Sequence, residues 1–141
     1  LIREFNKELG EKILVMTLDK DELTKGKTYK GHTWRRNGPG YHLKRLKKRP
    51  ELARSLVFGS SAQNNYKVDQ SKSVSFMVRK QNKYVPNVKT GKHKVFICSS
   101  GAATCRPIGL ERNDKGIWKV KNFSSISVDI KKSLVHDKDD L

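Results

Sequence analysis

Acidic residues are scarce in this chain: 14 Asp and Glu stand against 31 Lys and Arg over 141 residues, a formal net charge of +17. Long apolar runs are lacking too. None exceeds four residues, as at Ile13–Met16, against the roughly 18 that a membrane-spanning helix needs, so a transmembrane protein is not expected. Cysteine is limited to Cys98 and Cys105, a spacing that fits neither the Cys-x-x-Cys hook of zinc and redox sites nor a secreted multi-bridge framework. The pair suits either two small strand or core residues, or a disulfide closing the loop Ser99–Thr104 if the flanking strands pair within about 7 Å. A phosphate loop is missing: the glycines at 26 and 31 belong to no Gly-rich run at a strand-to-helix junction, which disfavours nucleotide hydrolysis. The four histidines, His32, His42, His93 and His136, include no i, i+4 pair and have no Cys or carboxylate at ligand spacing, so neither a metal nor a cofactor is expected. Most acids lie in the first 22 residues or the last five, which leaves no paired carboxylates for acid–base work. A nucleophilic role for Cys98 or Cys105 has no local base to support it. The expectation is a non-catalytic protein.

What is present is positive charge, and it is concentrated. From Lys25 to Arg54 eleven Lys and Arg face one acid, Glu51, over half the net charge in about a fifth of the chain. Such an imbalance self-repels unless a polyanion neutralises it, and nucleic acid is the commonest such partner. An anionic membrane surface fits less well, because no segment joins a basic face to a broad Trp/Phe/Leu face.

Length and pattern point to one domain over 1–141. Ile2, Phe5 and Leu9 at helical spacing predict a short helix ended by Gly10, followed by a buried strand over Lys12–Met16. Thr17–Leu23 supplies a cap and early acids for a single helical turn before Gly26. Arg35-Arg36-Asn37-Gly38-Pro39-Gly40 reads as a tight loop. Helices are then expected at Tyr41–Arg49, with Leu43 and Leu46 on one face, and from Pro50 to Phe58. After the polar loop Gly59–Asn65 the period changes. Val74, Phe76 and Val78 alternate as a half-buried strand, and further strands are expected at His93–Cys98, Arg106–Arg112, Ile117–Lys121 and Ser125–Ile130. Asn113-Asp114-Lys115-Gly116 marks a hairpin. The expected fold is α+β: a helical, strongly basic half (1–58) packed on an antiparallel sheet half (59–132), then an acidic tail (133–141).

The candidate site is the Arg35/Arg36 loop with the helix after it. Arg35, Arg36, Lys44, Arg45, Lys47, Lys48 and Arg49 can follow successive phosphates, while Trp34, Tyr41 and His42 among them permit stacking on bases or sugars. Backbone amides at Gly38-Pro39-Gly40 can also approach a phosphate closely. The bland alternative makes Trp34 and Tyr41 core anchors and the charges a solvated helix face. No helix-turn-helix, zinc finger or RNA-recognition motif is visible, so base-specific readout is not indicated.

The stretch Cys98-Ser99-Ser100-Gly101-Ala102-Ala103-Thr104-Cys105-Arg106-Pro107-Ile108, with Gly116-Ile117-Trp118-Lys119-Val120-Lys121-Asn122-Phe123-Ser124-Ser125 and the closing acidic run, resembles an uncharacterised domain family found mainly in bacteria. The loop from Gly59 to Tyr66 is similar as well, and the resemblance covers about Phe58 to Leu141. It implies that the sheet half is a recurring module, and it brings no reaction, ligand or catalytic residue. Two departures stand out: Ala103, where an acid is common, and the basic segment before Phe58, which then reads as this protein's own adaptation. On the residues alone, Arg106 before Pro107 reads either as a ligand-facing cation or, the favoured alternative, as a tie across the small-residue bend, and Trp118 with Phe123 as anchors of the sheet's buried face.

The functional expectation is a nucleic-acid-associated domain in a larger assembly, with RNA favoured over DNA. With roughly six phosphates neutralised, raising salt from about 50 to 200 mM should cost on the order of 10³ in affinity. The alternative is a structural or protein-interaction module whose charge matches an acidic protein partner.

Overall fold

A computed structural model of the chain describes residues 1–79 and 89–134; the acidic run Asp137–Leu141 and His136 lie outside them. The architecture is α+β, with short N-terminal helices leading to a four-stranded antiparallel sheet.

Helices α1 (Ile2–Phe5) and α2 (Lys7–Thr17) are separated by Asn6, which is extended and caps α2 by accepting from Leu9 N–H at 3.0 Å. Gly10 is therefore inside a helix rather than at its end. It has no side chain because a Cβ there would stand 2.7 Å from Arg3 Cα, where α1 folds back on α2. The expected strand over Lys12–Met16 is the second half of α2. A four-residue apolar run carries no period of its own, and here it supplies the buried Val15 of a helix that ends just before buried Leu18. The expected single turn does form, at Lys20–Glu22, with Asp19 as its cap.

The N-terminal half is not wholly helical. Strands β1 (Leu23–Tyr29) and β2 (His32–Trp34) make a hairpin through Lys30-Gly31, both at positive φ, the backbone that tight hairpin turns require. The register shifts between Lys25 and Tyr29. At that irregularity Gly26 lies so close to β2 that a Cβ would meet Thr33 Cγ2 at 2.4 Å. The Arg35–Gly40 loop is tight as expected, with Gly38 at φ 78 and Gly40 N–H donating to Arg35 O at 3.0 Å. It delivers the chain into α3 (Tyr41–Lys48), where the helical pattern places it, and α4 (Glu51–Arg54), which stops four residues short of the expected Phe58 because Val57 bridges Phe76 instead.

In the second half β3 (Val78–Arg79), β4 (Lys92–Ile97), β5 (Arg106–Arg112) and β6 (Trp118–Asn122) pair in sequence order. The Asn113–Gly116 turn joins β5 to β6. Two expected strands fail. The segment Ser73–Arg79 is exposed throughout rather than half-buried, with only Val78–Arg79 in the sheet and an isolated bridge from Phe76 to Val57. Ser125–Ile130 is not a strand despite its alternation: Ser124–Ser127 is a 3₁₀ turn. The carbonyls of Ser125, Val128 and Asp129 accept from the Arg106 guanidinium at 3.1, 2.6 and 2.7 Å instead of from a neighbouring strand. Arg106 is thus a structural tie. Phe123 is buried, whereas Trp118 is exposed and meets His93 edge to face.

Cys98 and Cys105 form a disulfide one rung beyond the last β4–β5 pair, Ile97 with Arg106. Closing so short a loop stabilises by about 2–3 kcal/mol through lost freedom of the unfolded chain. The closed bend docks on the end of α4: Ser55 and Ser99 hydroxyls are 2.7 Å apart, Ser100 N–H donates to Ser55 O at 2.9 Å, and Lys131 N–H donates to Gly101 O at 2.9 Å. Beside it lies the buried cluster of Leu52, Ala62, Tyr66 and Ile130, with Leu46 of α3 packed against it. The helices also reach the sheet at its β6 edge, where Leu18 bridges Val120 and Lys121 binds both Asp19 and Asp21. Burial works to raise Asp19, but the Asp21 N–H and Lys121 outweigh it and hold the carboxyl below its usual value.

Candidate nucleic-acid interface

At about 100° per residue, the residues of α3 divide into three strips. Leu43 and Leu46 turn toward the protein, and Leu46 reaches the core cluster. His42, Arg45 and Arg49 form one flank, facing the Ser124–Asp129 segment. Tyr41, Lys44, Lys47 and Lys48 form the outward strip, all exposed.

The flank is occupied by internal contacts. Arg45 donates from Nε to Ser127 O at 2.9 Å and from Nη2 to Asp129 at 2.8 Å. Arg49 binds Glu51 at 2.8 Å and also Asp129. Arg35, in the loop, donates to Asp21 O at 3.1 Å. Three of the seven expected phosphate-binding cations are therefore held by the protein's own oxygens. Arg36, Lys44, Lys47 and Lys48 have no such partner among the described residues. The two aromatics separate likewise: Tyr41 is exposed on the outward strip, and Trp34 is half-buried against α3. The acid that captures two arginines, Asp129, stands 80 or more residues further along the chain, and no local pattern in the sequence announces it.

His42 joins the flank through Nδ1, 2.7 Å from the Ser127 hydroxyl, with Phe123 edge-on at 5.7 Å. A serine beside a histidine invites a nucleophile reading, but the geometry runs the other way. Ser127 is buried and its hydroxyl donates to Ser124 O at 2.8 Å. The ring must then donate to the serine rather than accept its proton, which is the reverse of general-base activation. Burial lowers the His42 pKa, and the positive charge of Arg45 lowers it further. A histidine depressed in the folded state is protonated first in the unfolded chain. The stability it supports is complete above about pH 6.5 and is lost as pH falls below that value. The melting temperature is expected to fall between about pH 7 and pH 5, and His42→Asn should flatten that interval. An unchanged profile in the variant would refute the assignment.

Gly26-Lys27-Thr28 lies inside β1, not at a strand-to-helix junction, so it makes no phosphate loop. No group of three or more His, Cys, Asp or Glu is placed to hold a metal ion, and no helix is long and apolar enough to cross a membrane, both among the described residues.

No curated protein and no solved structure matches the chain. The family match takes in both halves, so the segment before Phe58 is part of the family's domain and the match extends beyond the expected Phe58–Leu141 stretch. Over residues 1–133 the chain matches, and so belongs to, the family described as Domain of unknown function (DUF6935).

Proposed function

We propose that the domain is a non-catalytic module that binds nucleic acid, RNA in preference to DNA, through phosphate contacts made by Arg36, Lys44, Lys47 and Lys48, as a component of a larger assembly. The observation that carries this reading is the division of α3. Asp129 and Glu51 neutralise the flank arginines, while the outward lysines have no anionic partner among the described residues and stand beside an exposed tyrosine. Four contacts instead of roughly six reduce the expected salt effect. At about 0.7–0.9 per phosphate in the slope of log K against log salt, a rise from about 50 to 200 mM costs about 50- to 150-fold.

The disulfide favours a second reading. Such bonds persist in oxidising compartments, where an acidic protein surface is a readier partner than nucleic acid. Titration of labelled RNA and DNA across that salt range separates the two. A steep loss of the stated size supports nucleic acid, and a change under about twofold, below what a single phosphate contact gives, moves the conclusion to an acidic protein.

A further inference from the structure

A cavity of about 190 Å³ opens between α2 and α3 beside Trp34. Three kinds of wall surround it. The Trp34 indole, Leu14 and Leu43 make an apolar slot. Gly40 keeps the indole edge uncovered, since a Cβ there would stand 3.5 Å from Trp34 Cδ1 and 2.8 Å from Arg35 O. At one side lies the Arg3–Glu11 ion pair, in which Nε and Nη2 of Arg3 both bind Oε1 of Glu11 at 3.1 Å. That arrangement leaves Arg3 Nη1 as a donor and Glu11 Oε2 as an acceptor without partners among the described residues. At the mouth stand Lys44 and Lys47, two of the cations assigned above to phosphates.

An aromatic wall, a hydrogen-bonding edge and adjacent cations together match one nucleotide of a single strand: ring, base edge and phosphate. The volume is below the roughly 300–1,000 Å³ of drug-sized ligand sites, and so suits one flat ring system rather than a whole dinucleotide. We propose that this cavity takes an unstacked base of single-stranded nucleic acid, stacked on Trp34 with its phosphates on Lys44 and Lys47. The inference rests on the nucleic-acid reading and sharpens it, because a duplex keeps its bases stacked inside and cannot offer one to the slot.

The test uses the full chain carrying Trp118→Phe, which leaves Trp34 as the sole tryptophan without altering the cavity. The probes are a single strand of about twelve nucleotides, a duplex of the same length and inorganic polyphosphate. The single strand is expected to quench Trp34 emission while the other two bind without quenching. Trp34→Ala is expected to weaken single-strand binding by about 5- to 150-fold, the range of one base–aromatic stack, and to change polyphosphate binding by less than about twofold. Trp34→Phe, which retains a ring in the hairpin, should recover most of that loss. Binding of all three probes with equal quenching or none, or an equal loss of all three in Trp34→Ala, overturns the base site and leaves phosphate binding standing. Failure of every probe to bind overturns both.

Discussion

Replacing Arg36, Lys44, Lys47 and Lys48 together by glutamine is expected to reduce the slope of log K against log salt for single-stranded RNA from about −3 to near zero. The folded state should be untouched. All four side chains are exposed and lack partners among the described residues, and surface changes of that kind stay within about 0.5 kcal/mol each. The companion variant, Arg45→Gln with Arg49→Gln, should do the opposite. It removes the contacts that fasten α3 to Ser127, Asp129 and Glu51, so the melting temperature should fall while the salt slope stays near −3. The arginines are partly exposed, which keeps that fall modest. The two variants together make the outcome decisive. If the arginine pair flattens the slope and the outward four do not, the interface is the flank and the division of α3 has been misassigned.

Gly101→Ala should produce a large loss of stability. A Cβ at 101 would stand 2.6 Å from the Tyr66 hydroxyl and 2.7 Å from Ile130 Cβ, both in the buried cluster. Neither neighbour can yield freely. The Tyr66 hydroxyl donates to Lys131 O at 2.6 Å, and Lys131 N–H is itself bound to Gly101 O. Overpacking of about 1–3 kcal/mol combines with loss of a hydrogen bond worth about 1 kcal/mol. That is about 2–4 kcal/mol from a domain whose whole stability is of order 5–15, or a fall in melting temperature of about 5–15 °C. Gly31→Ala is the control. It meets nothing within 4 Å and carries only the cost of φ +80, about 1–2 kcal/mol. A Gly101→Ala protein that melts with the wild type would mean that the bend is not seated on Tyr66.

The legible parts of this fold are those whose signal is local. The Asn113–Gly116 hairpin, the tight Arg35–Gly40 loop and α3 each follow from turn chemistry or a 3.6-residue period within a few neighbours. The misread parts are those decided at a distance. Ser125–Ile130 alternates like a strand, yet one guanidinium from β5 takes its carbonyls and bends it into a turn. Ile13–Met16 is too short to show a period, and its helical state follows from continuity with a start at Asn6. The β1–β2 hairpin lay within the most basic stretch of the chain, where charge obscured the alternation around Lys30-Gly31. The candidate site divides the same way. Its cations were visible as a cluster, but which of them are held internally depends on Asp129, far along the chain, and the cavity beside Trp34 depends on Arg3 and Glu11, which belong to two other helices.

The Cys98–Cys105 bond also alters the connectivity of the molecule. The bend from Ser99 to Thr104 is one arm of a closed covalent ring, so a protease that cuts a peptide bond within it creates two new chain ends and releases nothing. The parts before and after the cut remain a single molecule until a reductant separates them.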